Sequence, residues 1–359
     1  MKRIQLAIIG CGWAGDIHVE GLRPLADRIV VRACVDPNAA RRDEFARRHG
    51  IPVQAASLAD VLAMKDIDAV VICTPPVLHH PMAVEALDAH KHVICEKPLT
   101  SSMALVDDMR AAEARSNARL MPIFQYRFGN GAEKVRRAIA SGAAGRHFVT
   151  TVEIARTRGA DYYREAWRGK FATELGGIWV TQAIHIHDLV YSLLGPAVAV
   201  TSFRDTRVNP IEVEDCGVAC LKLADGSLVS VGATLGSVGQ QTRIRMCFEN
   251  VTFERLANHD LERIADDPWI VLPRSEQAKH ALDAAMAQEP DGFSYFTRQY
   301  ELFYEAITSG TPFPVSLDDA RASIELVTAL YLSAQSGETV SLPITRDQHG
   351  YHGWTTESV

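Results

Sequence analysis

The sequence predicts an α/β protein in two parts: an N-terminal doubly wound parallel sheet, then an α+β domain built on a large, mostly antiparallel open sheet. Three observations lead there. Short apolar runs alternate with helix-period segments through residues 1–120. From about residue 145, strand-like runs follow one another with little helix between most of them. The 359 residues also exceed what one ordinary core serves, so two domains are expected, 1–125 and 126–359.

In the first part, Ile4–Ile9 reads as a strand and Ala14–Leu25 as a helix. Ile29–Val35 precedes a helix at Ala39–His49, Ala69–Cys73 precedes one at Pro81–His90, and His92–Cys95 precedes one at Ser101–Arg115. Leu120–Phe124 is a further strand. Sheets built from such units bind ligands outside the carboxyl ends of their strands. In the second part the expected strands are Phe148–Ala155, Val198–Arg204, Gly217–Leu223, Leu228–Leu235, Ile244–Phe248 and Val251–Arg255. Ala224–Ser227 and Glu249-Asn250 are turns. A helix at Ile178–Leu194 interrupts the strands, and helices at Tyr295–Ser309 and Leu317–Gln335 follow. Ser316 is the N-cap of the last, with Asp318 and Asp319 in its first turn. No flexible linker separates the parts, so two packed domains with a cleft between them are expected.

Composition narrows the function. Lys and Arg number 37 against 44 Asp and Glu, a net charge of −7 spread along the chain. That leaves no basic footprint for nucleic acid and no polybasic membrane anchor. No apolar run is long enough to span a bilayer, and the first is too short for a signal peptide, so a cytoplasmic location is expected. The seven cysteines sit singly, without zinc spacing, and read as small buried hydrophobes. His79, His80, His185 and His187 form no convincing ligand set with a carboxylate, so no metal is expected.

Gly10-Cys11-Gly12-Trp13-Ala14-Gly15 is a G-x-G-x-x-G segment that follows a strand and opens a helix. In that context the glycines serve a tight turn, close approach of the backbone to a pyrophosphate, and close helix–strand packing. The helix N-terminus presents free N–H groups to the phosphates. Asp36 ends the next strand, where a carboxylate accepts hydrogen bonds from a ribose and repels a 2′-phosphate. The expected cofactor is therefore NAD rather than NADP, although Arg41 and Arg42 offset part of that repulsion. Two further segments carry chemistry. Thr74-Pro75 with His79, and Glu96-Lys97-Pro98, fall at strand ends in the same crevice, and Pro98 keeps Lys97 extended. On the later helix, His185, Asp188 and Leu189 share a face while His187 points elsewhere.

Together these residues resemble the Gfo/Idh/MocA family of sugar and polyol oxidoreductases. The resemblance runs from the glycine loop through Glu96-Lys97-Pro98, Trp167-Arg168-Gly169 and His185-x-x-Asp188 to Gly310-x-Pro312. It implies a Rossmann domain joined to a C-terminal α/β domain whose open sheet builds a homodimer or homotetramer. It implies Lys97 as the catalytic lysine and His185 as its partner. It puts Gln125 near the nicotinamide and brings Trp167 and Arg168 to the cofactor. Arg127, Tyr163, Thr181 and Gln182 join His185 as substrate candidates. One departure stands out: the family commonly has an aspartate four residues before the histidine, and here that position is Thr181. Gln182 with His185 is the variant that could replace it.

The expected reaction moves a hydride between nicotinamide and a secondary hydroxyl of a sugar, inositol or glycoside, with Lys97 or His185 taking the hydroxyl proton. Oxidation of a glycoside at C3 and hydride shuttling on a retained NAD are variants of it. The alternative from another class is a non-catalytic NAD-binding sensor or scaffold of the same fold. Lys97 and His185 argue against that alternative, and Thr181 argues for it.

Overall fold

The computed structural model describes residues 3–258, 261–290 and 292–354. They form two compact units: residues up to Ile123 with Phe293–Arg321, and Phe124–Gly292 with the chain from Ala322 onward.

The first unit contains β1 (Ile4–Ile9), α1 (Trp13–Leu22), β2 (Ile29–Val35), α2 (Ala39–His49), β3 (Val53–Ala55), α3 (Leu58–Leu62) and β4 (Ala69–Ile72). It continues with α4 (His79–Asp88), β5 (His92–Cys95), α5 (Met103–Ala114) and β6 (Leu120–Pro122). The six strands are all parallel, in the order β3-β2-β1-β4-β5-β6. Strand order reverses between β1 and β4, which is the switch point where such sheets bind ligands. Leu6–Ile9 and Ala69–Ile72 are all at most 1% exposed, as expected of strands covered on both faces.

The second unit opens with α6 (Asn130–Ala140), β7 (His147–Thr157) and α7 (Phe171–Glu174). A π-helical turn at Trp179–Ala183 runs into α8 (Ile184–Leu194). Then come β8 (Ala197–Asp205), β9 (Cys216–Leu223), β10 (Leu228–Thr234), β11 (Gly236–Phe248), β12 (Val251–Ala257), β13 (Ile270–Pro273) and α9 (Glu276–Met286). The chain next supplies α10 (Tyr295–Ser309) to the first unit, and α11 (Leu317–Ser336) and β14 (Val340–Ser341) complete the order. The eight-stranded sheet runs β13-β12-β11-β7-β10-β9-β8-β14 and is antiparallel except for the β7–β10 pair. Along β9, Gly217, Ala219, Leu221 and Leu223 are buried while Val218, Cys220 and Lys222 are exposed. One face is covered and the other is open, which antiparallel sheets tolerate.

Differences from the sequence reading have local causes. Helix α4 starts at His79 rather than Pro81, because proline is tolerated in a first turn whose N–H groups have no intrahelical partner anyway. Strand β11 starts at Gly236 rather than Ile244, because its first half is polar and mostly exposed and shows no alternation. Helix α6 buries only Gly131, Ala132, Val135 and Ala138, too small a stripe to read as a core face. The stretch read as 126–359 contributes Phe293–Arg321 to the first unit. There α10 buries Tyr300 and Phe303, and Thr297 and Gln299 donate to the carbonyls of Gly21 and Pro122. Cys220 is exposed, unlike the buried Cys11, Cys34 and Cys95, and all seven cysteines are free. Among the described residues no helix is long and apolar enough to cross a membrane.

Candidate functional site

The glycine loop joins β1 to α1 at the carboxyl edge of the parallel sheet. Gly10 has φ +103°, and a Cβ there would lie 2.8 Å from the Cys73 carbonyl oxygen. A Cβ on Gly15 would meet the Gly10 oxygen at 2.5 Å and Phe45 at 3.2 Å. Around Gly12, by contrast, nothing lies within 4 Å of that position. The first and third glycines are thus demanded by the fold itself, while the second leaves open approach to the backbone. Gly12 is the N-cap of α1 and contributes no capping side chain, so the first-turn N–H groups keep their anion-binding capacity. Trp13 is 69% exposed beside them, and Ala14 is half-buried.

At the end of β2, Asp36 is 5% exposed. Its Oδ2 accepts from the Cys11 amide at 3.1 Å, and its Oδ1 accepts from the Asn38 amide at 2.9 Å. A carboxylate offers about four acceptor positions, so capacity remains for ribose hydroxyls. Arg42 donates to the Asp36 backbone carbonyl at 3.0 Å, not to its carboxylate. Arg41 is exposed, with its amide bonded to Asn38 Oδ1. These features fit a bound NAD.

Lys97 follows β5, two strands from β1 and therefore about 10 Å across the sheet edge. It is half-buried, and its amide donates to Glu96 Oε2 at 3.0 Å. Glu96 Oε1 lies 2.9 Å from His18 Nε2, and His18 Nδ1 lies 2.5 Å from the Tyr300 hydroxyl. Thr74 and Pro75 end β4 half-buried. His79, expected at the cofactor, is 1% exposed and has both ring nitrogens occupied: Nδ1 is 2.7 Å from the Pro98 carbonyl and Nε2 is 2.9 Å from that of Thr74. Burial lowers its pKa, against the pull of those two carbonyls. It can touch a cofactor only through the turns it ties together.

In the second unit, Gln125 opens a 3₁₀ turn at Gln125–Phe128. It is 5% exposed, and its buried Oε1 has no partner among the described residues. Such an orphaned acceptor fits a carboxamide donor. The Tyr126 ring stacks on His185 with centroids 4.8 Å apart. Arg127 makes a bidentate pair with Asp188, Nε to Oδ2 at 2.7 Å and Nη2 to Oδ1 at 2.5 Å, with Asp188 2% exposed. Arg127 is thus committed to the helix that carries His185. The Arg168 guanidinium sits between the Tyr162 ring at 3.9 Å and the Trp167 ring at 4.3 Å and is ion-paired at 3.0 Å with the buried Glu174. Tyr163 packs edge-on to Tyr162, and burial pushes its hydroxyl pKa up. Thr181 and Gln182 fall on the π-helical turn, half-buried, and the Thr181 hydroxyl donates to the Gly177 carbonyl at 2.9 Å.

Comparison with known proteins decides the family. A model described as "Oxidoreductase family, NAD-binding Rossmann fold" matches residues 4–124, and one described as "GFO/IDH/MocA C-terminal domain" matches residues 132–254. The chain belongs to the Gfo/Idh/MocA family. A myo-inositol 2-dehydrogenase from Thermotoga maritima is 27% identical over 232 residues, 63% of this chain and 66% of that protein. A levoglucosan dehydrogenase from Pseudarthrobacter phenanthrenivorans is 26% identical over 275 residues, 68% of this chain and 70% of that protein. The WlbA dehydrogenase from Bordetella pertussis, solved in complex with NADH and UDP-GlcNAcA, superposes with a TM-score of 0.83 at 28% identity. That alignment covers 96% of this chain and all (100%) of that one. The chain spans about two-thirds of the length of the first curated relatives it matches, at 67%, 66% and 63%.

Within this Gfo/Idh/MocA chain, several site-supporting residues escaped the sequence reading. His18 held one signal: it sits on the buried stripe Gly15, His18, Val19, Leu22 of α1, where an apolar residue is the ordinary choice. Tyr300, Glu174 and Glu214 held none. Glu214 is fully buried, and it accepts from the amides of Gly177 (3.2 Å) and Trp179 (3.0 Å) and from the Tyr331 hydroxyl (2.7 Å). It caps the start of the π-helical turn, and a Cβ on Gly177 would collide with its carbonyl at 1.7 Å. In the tail, Trp354 is 4% exposed and donates to the Leu175 carbonyl at 2.7 Å. Residues 256–294 include β13 and α9, and positions 259, 260 and 291 lie outside the described residues.

Proposed function

We propose that this chain is an NAD-dependent dehydrogenase of a secondary hydroxyl on a sugar, inositol or glycoside, with Lys97 as the proton acceptor and His185 as its partner. The observation that carries the reading is the shared sheet edge. Gly10, Asp36, Thr74 and Lys97 follow β1, β2, β4 and β5, so a positioned lysine stands on the same edge as the dinucleotide loop. Bound NAD supplies the acceptor for the hydride that leaves the carbon. The chain's own task would be to hold the alcohol and take its proton on Lys97 Nζ, with His185 as the partner in that transfer. Gln125 would orient the carboxamide, and Trp167 with Arg168 would wall the cofactor. The NADH and sugar-nucleotide complex of the Bordetella relative, and the inositol and levoglucosan dehydrogenases, support a ring polyol as the substrate class. Oxidation of a glycoside at C3, and hydride shuttling on a retained NAD, are variants of this reaction. The open sheet would serve as the homo-oligomer interface.

Reduction of NAD by a panel of sugars, inositols and glycosides tests the activity. Lys97→Ala should lose on the order of 10²–10⁴ in kcat on the responding substrate and retain NAD binding. Near-wild-type turnover in that variant would remove Lys97 from the mechanism. A chain that binds NAD tightly yet reduces it with no member of the panel would be a sensor. The observation favouring that second reading is Thr181, whose hydroxyl donates to the Gly177 carbonyl at the position where the resemblance leads one to expect an aspartate.

A further inference from the structure

We propose that His18 and His79 are a pair of positioning residues that brace the Lys97 turn from its two sides; this rests on Lys97 being the proton acceptor. On one side the chain of contacts runs from the Lys97 amide to Glu96 Oε2 at 3.0 Å, from Glu96 Oε1 to His18 at 2.9 Å, and from His18 to Tyr300 at 2.5 Å. On the other side His79 stands 2.7 Å from the Pro98 carbonyl and 2.9 Å from the Thr74 carbonyl. Residues from α1, α4 and α10 thus fix the backbone immediately before and immediately after Lys97.

Packing alone does not account for this choice of residues. His18 and Tyr300 are 0% exposed, His79 is 1% exposed, and the Glu96 side chain is 13% exposed. Burying such groups is unfavourable unless each is hydrogen-bonded, and apolar residues of similar size would fill the space without that cost. What the polar set adds is direction. A lysine amine rides on a flexible stem, so its position relative to a reacting oxygen depends on a fixed Cα. Misplacement by about 1 Å can cost on the order of 10²-fold in rate.

The test uses His18→Gln, His79→Gln and Tyr300→Phe in the full chain, alone and combined with Lys97→Ala. The first readout is independent of substrate: the rate of Lys97 acetylation by acetic anhydride, followed by peptide mass spectrometry with the exposed Lys65 and Lys170 as internal references. The expected result is a change of about threefold or more at Lys97 with the references unmoved. The second readout is turnover with the substrate the panel selects. The single variants should lose about 10- to 100-fold in kcat with NAD affinity nearly unchanged, and should cause no further loss on the Lys97→Ala background. Should the histidine variants fail to fold, Tyr300→Phe, which lacks a single hydroxyl, decides. An unmoved Lys97 acetylation rate, or losses that multiply with Lys97→Ala, would overturn the brace. Retained turnover in Lys97→Ala alone would instead overturn the role of the lysine and leave the acetylation result to judge the brace.

Discussion

Asp36 does two jobs with one carboxylate. One oxygen holds the Cys11 amide of the glycine loop and the other the Asn38 amide of the following turn, so the carboxylate proposed to read the ribose also shapes the glycine loop. Asp36→Ala would therefore confound the two roles. Asp36→Asn keeps an acceptor for Cys11 and removes the charge that repels a 2′-phosphate. It should move the NADP/NAD preference toward NADP by about tenfold, a free-energy change of about 1.4 kcal/mol, read from parallel titrations of the two nucleotides. An unchanged ratio would mean that Asp36 does not set the choice. The arginines show the converse. Arg127 and Arg168 read as ligand-facing cations in sequence, yet each is paired with a nearly fully buried carboxylate, Asp188 and Glu174. Their first duty is to hold α8 and the Trp167 segment in place.

Helix α8 is buried from Ile184 through Val190, including both histidines. A helix apolar nearly all round sits in a core, and its two polar faces meet different fates. His185 stacks on Tyr126, while His187 lies against Trp179 with no partner for its Nδ1 among the described residues. Burial lowers the pKa of His187 from 6.5 to about 4. The unfolded chain binds this proton as pH falls below 6.5, whereas the folded chain resists until about 4. The stability linked to His187 is thus present above 6.5 and is lost as pH falls toward 4. One proton bounds that loss at about 1.4 kcal/mol per pH unit. Urea unfolding followed across this window should show a shallower acid limb in His187→Leu than in the wild type; identical limbs would exclude His187 as the cause. The π-helical turn ahead of α8 holds Thr181 and Gln182, at the position where the family's usual aspartate is missing. π-Helical turns are rare and often mark functional sites.

At the scale of the whole molecule, the open face of the eight-stranded sheet has consequences beyond one chain. Phe203 and Val218 are cross-strand partners on β8 and β9, 64% and 55% exposed, and Leu228 adds 53% on β10. These are the side chains that the proposed homo-oligomer interface would cover. Phe203→Glu combined with Val218→Glu should lower the sedimenting mass to that of one chain while the circular dichroism spectrum is kept. A wild-type protein that already sediments as a monomer would remove this face as an interface. The chain path has a consequence too: α10 belongs to the first unit although most of the second precedes it in sequence. A fragment ending near residue 125 would lack Tyr300 and the Gln299 bond to Pro122, so it would expose part of its own core.

By itself the sequence determined the fold class, the strand–loop–helix of the glycine motif, Asp36, and the lysine at a strand end. All of these are written in contiguous residues, where periodicity and turn chemistry act over a few positions. His18 with Glu96 and Tyr300, His79 with Pro98, Arg127 with Asp188, and the Glu214 cap were decided only by tertiary structure. Those partners are 78, 282, 19, 61 and 37 positions apart, and nothing in a local pattern says which polar side chains will be buried together. The physical reason is that a buried polar group must find a partner wherever the fold brings one. The chemistry-bearing residues could be read along the chain, but the groups that aim them could be read only across it.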